Sequence, residues 1–159
     1  GIAELRIAEA LGRFKGIERR FEYILRSNRT IIIDDYAHHP KEIDAAILAV
    51  RKNHPGRKLT VVFQPHLYSR TRDFLKEFAV SLSNADEVIL VELYPARELP
   101  IEGINSERLL SMIQIEQKEF ILKKDLVNYL GAEERELILN LGAGDVYKLM
   151  EDLKYSYSK

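Results

Sequence analysis

Cysteine is absent from the 159-residue chain. Disulfides and thiolate metal sites are therefore excluded, and a cytoplasmic location is the expectation. Long apolar runs are missing too. Every hydrophobic stretch is broken by charge well short of the roughly 18 residues that a membrane span needs. No basic start followed by an apolar stretch marks a secretion signal. Neither sign of charge dominates: 24 Lys and Arg stand against 25 Asp and Glu, for a net charge of −1. Nothing in that balance draws the whole molecule to nucleic acid or an anionic membrane. There is no internal repeat and no low-complexity segment. The pattern GxxxxGK followed by Ser or Thr does not occur, so the chain carries no P-loop of its own. If it handles ATP, it does so with help. It starts at Gly1 rather than Met, as expected of a piece of a longer protein.

What is present is the profile of one globular domain with a real core: 46% apolar and 31% charged residues. Short runs rich in Ile, Val and Leu recur at TIIID (30–34), LTVVFQ (59–64), EVILVEL (87–93), EFILK (119–123) and ELILNL (136–141). Near-continuous runs of this length suit strands buried on both faces. FEYILR (21–26) alternates instead and precedes TIII across Ser27-Asn28, which suits an antiparallel edge hairpin. Apolar residues at helical spacing fill most gaps, over 40–52, 71–83 and 145–154, with shorter helices expected at 106–113 and 125–129. Strand–helix–strand repetition predicts an α/β fold of about six strands, mostly parallel, with helices on both faces. Residues 2–13 read as a further helix, followed by FKGIERR. Residues 1–15 are expected to be helix and hinge from a preceding domain, and 16–159 the domain proper.

The polar chemistry gathers at one place. In an open parallel sheet the ligand crevice lies beyond the carboxyl ends of the strands. Those ends here carry DDYAHHP (34–40), QPHLYSRTRD (64–73), LYPARE (93–98) and GAGD (142–145). Pro40 fits the first position of the following helix, with Glu42 at the third. DDYAHHP alone is compatible with a polar strand-to-helix turn, a catalytic loop, or a metal site drawing on Asp34, Asp35, His38, His39 and His66. In QPHLYSRTRD, Ser69 or Thr71 is a candidate helix cap. Arg70 beside a helix start suits a carboxylate or phosphate, while Arg72 and Asp73 read as a surface pair. GAGD offers backbone N–H groups to a phosphate or is simply a tight turn. Arg97 and Glu98 are candidates to pair with each other, and His54 reads as an exposed turn residue.

Taken together, LGRFKGIERRFE (11–22), IDDYAHHPKEI (33–43), VVFQPHLYSRTRDF (61–74), LYPARELPIEGINSE (93–107) and LGAGD (141–145) resemble the C-terminal domain of the Mur ligases. These are ATP-dependent enzymes that build the peptide of the bacterial cell wall. The resemblance is nearest to the alanine-adding branch, with a sister branch that recycles wall tripeptides as the alternative. It implies a Rossmann-like three-layer domain that closes over a central ATPase domain not contained in this chain. It further implies L-alanine, UDP-N-acetylmuramate, ATP and Mg2+ as partners, with an acyl phosphate intermediate. Carried over residue by residue, it implies Arg20 and Asp35 at the nucleotide, and Tyr36, His38, His66 and Arg70 around the alanine. No catalytic group and no metal ligand falls on this domain alone, and by itself it is expected to be inactive. Leu67 stands where some relatives carry a second arginine, which leaves more of the carboxylate recognition to Arg70. Outside the family, a free-standing nucleotide- or carboxylate-binding module and a two-histidine metal hydrolase are the rival readings.

Overall fold

Side chains alternate across a strand, so a run of branched apolar residues has to be covered on both faces. The computed structural model describes residues 2–14 and 16–157 and shows how that is done. Six strands form one sheet: β1 (Glu22–Arg26), β2 (Ile31–Asp35), β3 (Leu59–Phe63), β4 (Glu87–Leu90), β5 (Gln117–Phe120) and β6 (Leu137–Leu141). Their order is β1-β2-β6-β3-β4-β5. All pairings are parallel except β1 with β2, the edge hairpin that the alternating FEYILR run predicts.

Helices cover both faces. On one side Ile33, Val61, Phe63 and Leu139 pack against α2 (Pro40–Asn53), α4 (Leu75–Leu82) and α5 (Ser106–Leu110). On the other, Ile32, Val62, Ile89 and Ile138 pack against α6 (Leu126–Gly131) and α7 (Lys148–Ser156). These three layers are the α/β architecture expected from the sequence. No helix among the described residues is long and apolar enough to cross a membrane.

Pro40 opens α2 as expected, since its missing N–H costs nothing there. His39 is the cap: its ring nitrogen accepts the Lys41 N–H at 3.3 Å, and the Glu42 carboxylate reaches back to the His38 and His39 N–H groups at 2.9 and 3.2 Å. The helix expected over 71–83 is two helices, α3 (Tyr68–Asp73) and α4, broken at Phe74. Phe74 leaves helical geometry so that its ring meets both His39 and Phe78. Neither Ser69 nor Thr71 caps α3. Leu67 sits at its start with φ +72°, and the Thr71 hydroxyl donates back to the Leu67 carbonyl at 2.8 Å. α7 begins at Lys148, later than its apolar stripe suggests, because Asp145 and Val146 belong to the turn before it. α1 (Glu4–Arg13) forms where the sequence predicts a helix and buries none of its residues. Lys15, the last residue of the expected helix-and-hinge segment, lies outside the described residues with Gly1, Ser158 and Lys159, while Gly16 of the expected hinge has φ +93°.

Leu139 is fully buried in the central strand, whereas Leu48 on α2 is 69% exposed. Leu139→Ala should therefore cost about 2–5 kcal/mol in urea unfolding, and Leu48→Ala within about 0.5 kcal/mol of zero. Comparable losses at the two positions would contradict this layering.

Candidate functional site

The loops at the carboxyl edge are tied to one another before any ligand arrives. The Gln64 N–H donates to the Leu141 carbonyl at 3.1 Å, and the Gly142 N–H to the Asp35 carbonyl at 3.3 Å. Leu67 N–H to Tyr94 O, at 2.9 Å, and Tyr94 N–H to Pro65 O, at 2.8 Å, extend the β3–β4 pairing into the loops. The Gln64 side chain grips the GAGD turn. Its Oε1 accepts the Asp145 and Val146 N–H groups at 2.9 and 3.1 Å. A Cβ on Gly144 would run into that amide, so a larger residue there would push the Gln64 side chain off the turn. GAGD is thus a tight turn in which Gln64 takes the Asp145 N–H and Asp35 the Gly142 N–H.

The sequence RRF makes two left-handed residues in three: Arg19 at φ +58° and Phe21 at φ +49°. Each costs roughly 1–2 kcal/mol for a residue with a Cβ. The compensation is visible. The Phe21 N–H donates to Asp35 Oδ2 and the Ala37 N–H to Asp35 Oδ1, both at 2.8 Å. The Arg19 guanidinium donates to Asp34 at 3.2 Å and to the Gly142 and Gly144 carbonyls. Asp34 is 1% exposed and also accepts from the Asn140 amide. Burial pushes its carboxyl above the ordinary 3.8, and the bonds from Asn140 and Arg19 pull it back. Asp35 thereby clamps its own loop through both oxygens, each of which keeps a second acceptor direction.

Arg20 is exposed, its guanidinium carbon 5.5 Å from the centre of the Tyr36 ring. Together Glu18, Arg19, Arg20, Tyr36 and Tyr147 line an open depression of about 450 Å3. A larger one, about 510 Å3, opens at the opposite sheet edge around Arg51, Arg57 and Asp86. Its charged groups are spent on the fold: Arg51 pairs with Asp86, and Arg57 donates to the Asn28, Arg29 and Glu136 carbonyls. The carboxyl edge is the better candidate.

Beside that depression the rings form a continuous row. Tyr36 meets His38 edge to face at 5.3 Å, His38 meets His66 at 6.3 Å, and His66 stacks on Tyr94 at 5.6 Å. Arg70 Nη1 lies 3.5 Å from His66 Nδ1. A guanidinium has only donors, so a hydrogen bond between them requires an unprotonated Nδ1 on His66. Burial first, then the Arg70 and His38 charges, hold the His66 imidazole below its ordinary 6.5. Among the described residues no carboxylate is within ion-pair distance of Arg70 or Arg20. The structure thus brings Tyr36, His38, His66 and Arg70 into one cluster, with Arg20 and Asp35 on the far side of Tyr36. The anion-binding capacity of α3 lies in Arg70 itself. The helix has six residues, and its Ser69 N–H is already taken by Glu98 at 2.8 Å.

Several expectations need correction. Glu98 does not pair with Arg97; it accepts from both the N–H and the hydroxyl of Ser69, which hold its carboxyl below the usual range. That latch ties the LYPARE loop to α3. His54 is half-buried, 3.0 Å from the Tyr23 hydroxyl. The two-histidine metal reading is not supported by the geometry. His38 faces Tyr36 and His66, while His39 turns to Phe74 at 4.7 Å and caps α2. Arg72 does pair with Asp73, at 2.8 Å. Arg19, Gln64, Tyr94 and Tyr147 are site residues that sequence reasoning passes over. The doubled arginine and the tyrosine of LYPARE were the available signals.

With this edge, fold and arginine pair in place, the chain belongs to the Mur ligase family: the Mur ligase, glutamate ligase domain matches residues 19–145. Its relatives include the UDP-N-acetylmuramate–L-alanine ligase of Flavobacterium johnsoniae, 49% identical over 93% of this chain and 33% of that protein. The protein of the same name from Christiangramia forsetii is 50% identical over the same shares, 93% and 33%. Among solved structures, a UDP-N-acetylmuramate–alanine ligase from Thermotoga maritima superimposes with a TM-score of 0.75 at 28% identity, covering 95% of this chain and 33% of that one. The chain spans about a third of the length of the curated relatives it matches.

The two depressed histidines set a pH dependence. His54 is lowered by burial and then by Arg26 and Arg57, as His66 is by its own surroundings. The unfolded chain binds protons at both more readily, so their contribution is complete above 6.5 and is lost as pH falls toward the depressed folded values. Urea midpoints should therefore decline between about pH 7 and about pH 5, and His54→Gln with His66→Gln should flatten part of that decline. An unchanged slope in the double variant would contradict the assignment.

Proposed function

We propose that this chain is the amino-acid- and nucleotide-contacting domain of an ADP-forming ligase that joins L-alanine to UDP-N-acetylmuramate. The observation that carries this reading is Arg70, a half-buried arginine with no carboxylate partner among the described residues, set against a neutral imidazole at 3.5 Å. Alanine offers a carboxylate, an amine and a methyl group, and a planar fork of donors suits the first. In the proposed reaction the muramate carboxylate takes the γ-phosphoryl group of ATP, with Mg2+, and the alanine amine then displaces phosphate. Arg70 holds the alanine carboxylate, the His38–His66–Tyr94 row keeps that group next to Arg70, and Tyr36 closes the side toward the nucleotide. Arg20 meets the nucleotide phosphates, and Asp35 meets the nucleotide while it clamps the RRF turn.

The P-loop pattern that the sequence lacks is supplied in this reading by the rest of a longer polypeptide. The 33% coverage of the relatives supports that division of labour. So does α1, which buries nothing within this domain and fits a connection to a preceding ATPase domain through residues 1–15. An acyl phosphate must be kept from water, and a domain that closes over the site performs that exclusion. Alone, the domain is inactive, and the place of action is the cytoplasm, where ATP and the UDP-sugar are found.

Arg70→Ala in the full-length parent protein should raise the alanine KM about 10- to 100-fold, the loss of a charge-assisted bond of roughly 1.5–3 kcal/mol. Steady-state kinetics at saturating ATP and UDP-N-acetylmuramate measures this. An active variant with an unaltered alanine KM would remove Arg70 from the amino-acid site.

A further inference from the structure

Arg19 and Arg20 are neighbours in sequence and opposite in circumstance. The Arg19 side chain is 14% exposed. Its guanidinium donates to Asp34, Gly142 and Gly144, and lies 4.8 Å from the centre of the Tyr36 ring and 4.0 Å from that of Tyr147. Its carbonyl accepts the Tyr36 N–H at 2.8 Å. One residue thus binds three separate loops: the RRF turn, the loop after β2 and the loop after β6. Arg20, next to it, is exposed and has no ion-pair partner among the described residues.

The geometry points to Arg19 as a positioning residue: its capture by Asp34 and the glycine turn fixes the left-handed RRF turn that presents Arg20 to a nucleotide phosphate. The inference rests on the ligase reading for the identity of Arg20's ligand. The chemistry favours arginine specifically. Asp34 and the two carbonyls lie around a planar group, and the donors of a fixed fork reach all three while the guanidinium also lies over the Tyr36 and Tyr147 rings. Lysine keeps the charge and loses the fork. With the Arg19 fork released, only the Phe21 N–H bond to Asp35, the Arg19 N–H bond to Glu22 and the Tyr36 N–H bond to the Arg19 carbonyl hold Arg20 between two left-handed residues. The fit to phosphate then has to be rebuilt each time nucleotide binds.

The test compares Arg19→Lys with the wild type in two settings. In the full-length parent, Arg19→Lys should raise the ATP KM about tenfold while the alanine KM moves less than about threefold. In the 159-residue chain alone, amide hydrogen exchange at Phe21 and Tyr36 should accelerate, with the β6 amides unchanged. An ATP KM at the wild-type value overturns the proposal, whether or not those amides loosen, because a purely structural anchor would loosen them without touching nucleotide affinity. A wild-type parent with no alanine-dependent ADP formation is a failure of the ligase reading instead. The exchange arm still decides for Arg19 in that case, and unchanged protection in Arg19→Lys overturns its role. If Arg19→Lys does not fold, Tyr147→Leu, which uncovers one face of the guanidinium and leaves its hydrogen bonds, should raise the ATP KM in the same direction. A wild-type value there also overturns the proposal.

Discussion

A carboxylate with 1% exposure lies at the carboxyl end of β2, and much of the candidate site follows from the need to pair it. Asp34 stands in register with Asn140 of β6, whose amide donates to it. Removing the partner of a buried charge is far more costly than the pair is worth, so Arg19 has to reach it from outside the sheet. That requirement pulls the RRF turn onto the sheet edge, and the left-handed backbone of Arg19 and Phe21 is the strain it leaves behind. Among the described residues, Asn140 Oδ1 and Thr30 Oγ1 have no hydrogen-bond partner in the buried interior. The polar interior of the β2–β6 pair is therefore only partly satisfied at its two ends, with Asn140 on the side of the candidate site.

The same ties divide the edge into two halves. On one side Arg19, Arg20, Tyr36 and Tyr147 surround an open depression fit for a large anionic ligand. On the other, His38, His66, Tyr94 and Arg70 make a tighter cluster fit for a small carboxylate. Tyr36 belongs to both, touching Arg19 with its face and His38 edge to face. Glu98, holding Ser69 beside Arg70, extends the support to the long loop after β4. Binding on either half thus bears on the Tyr36 ring.

Much of the layering was legible in the sequence because burial on both faces demands uninterrupted Ile, Val and Leu, as in Ile31–Ile33 and Leu137–Leu139. The gathering of the candidate site at one edge was legible because DDYAHHP, QPHLYSRTRD and GAGD all follow such runs. Other features left no mark in local spacing. Arg19 meets Gly142 across 123 positions of sequence, and Gln64 meets Asp145 across 81. Phe74 breaks a helix whose apolar stripe runs on without interruption, because its ring is wanted by His39 from another loop. Glu98 looked like a partner for adjacent Arg97, yet the loop folds back and gives it Ser69 instead.

In the function proposed for it, this edge serves alanine ligation within a longer polypeptide. The most direct measurement is product formation by the purified full-length parent with ATP, Mg2+ and UDP-N-acetylmuramate, offered L-alanine or a wall tripeptide in parallel. ADP and the alanine-bearing UDP-sugar are expected from the first mixture. Ligation of the tripeptide in preference to alanine, or no ADP with either, would contradict that function.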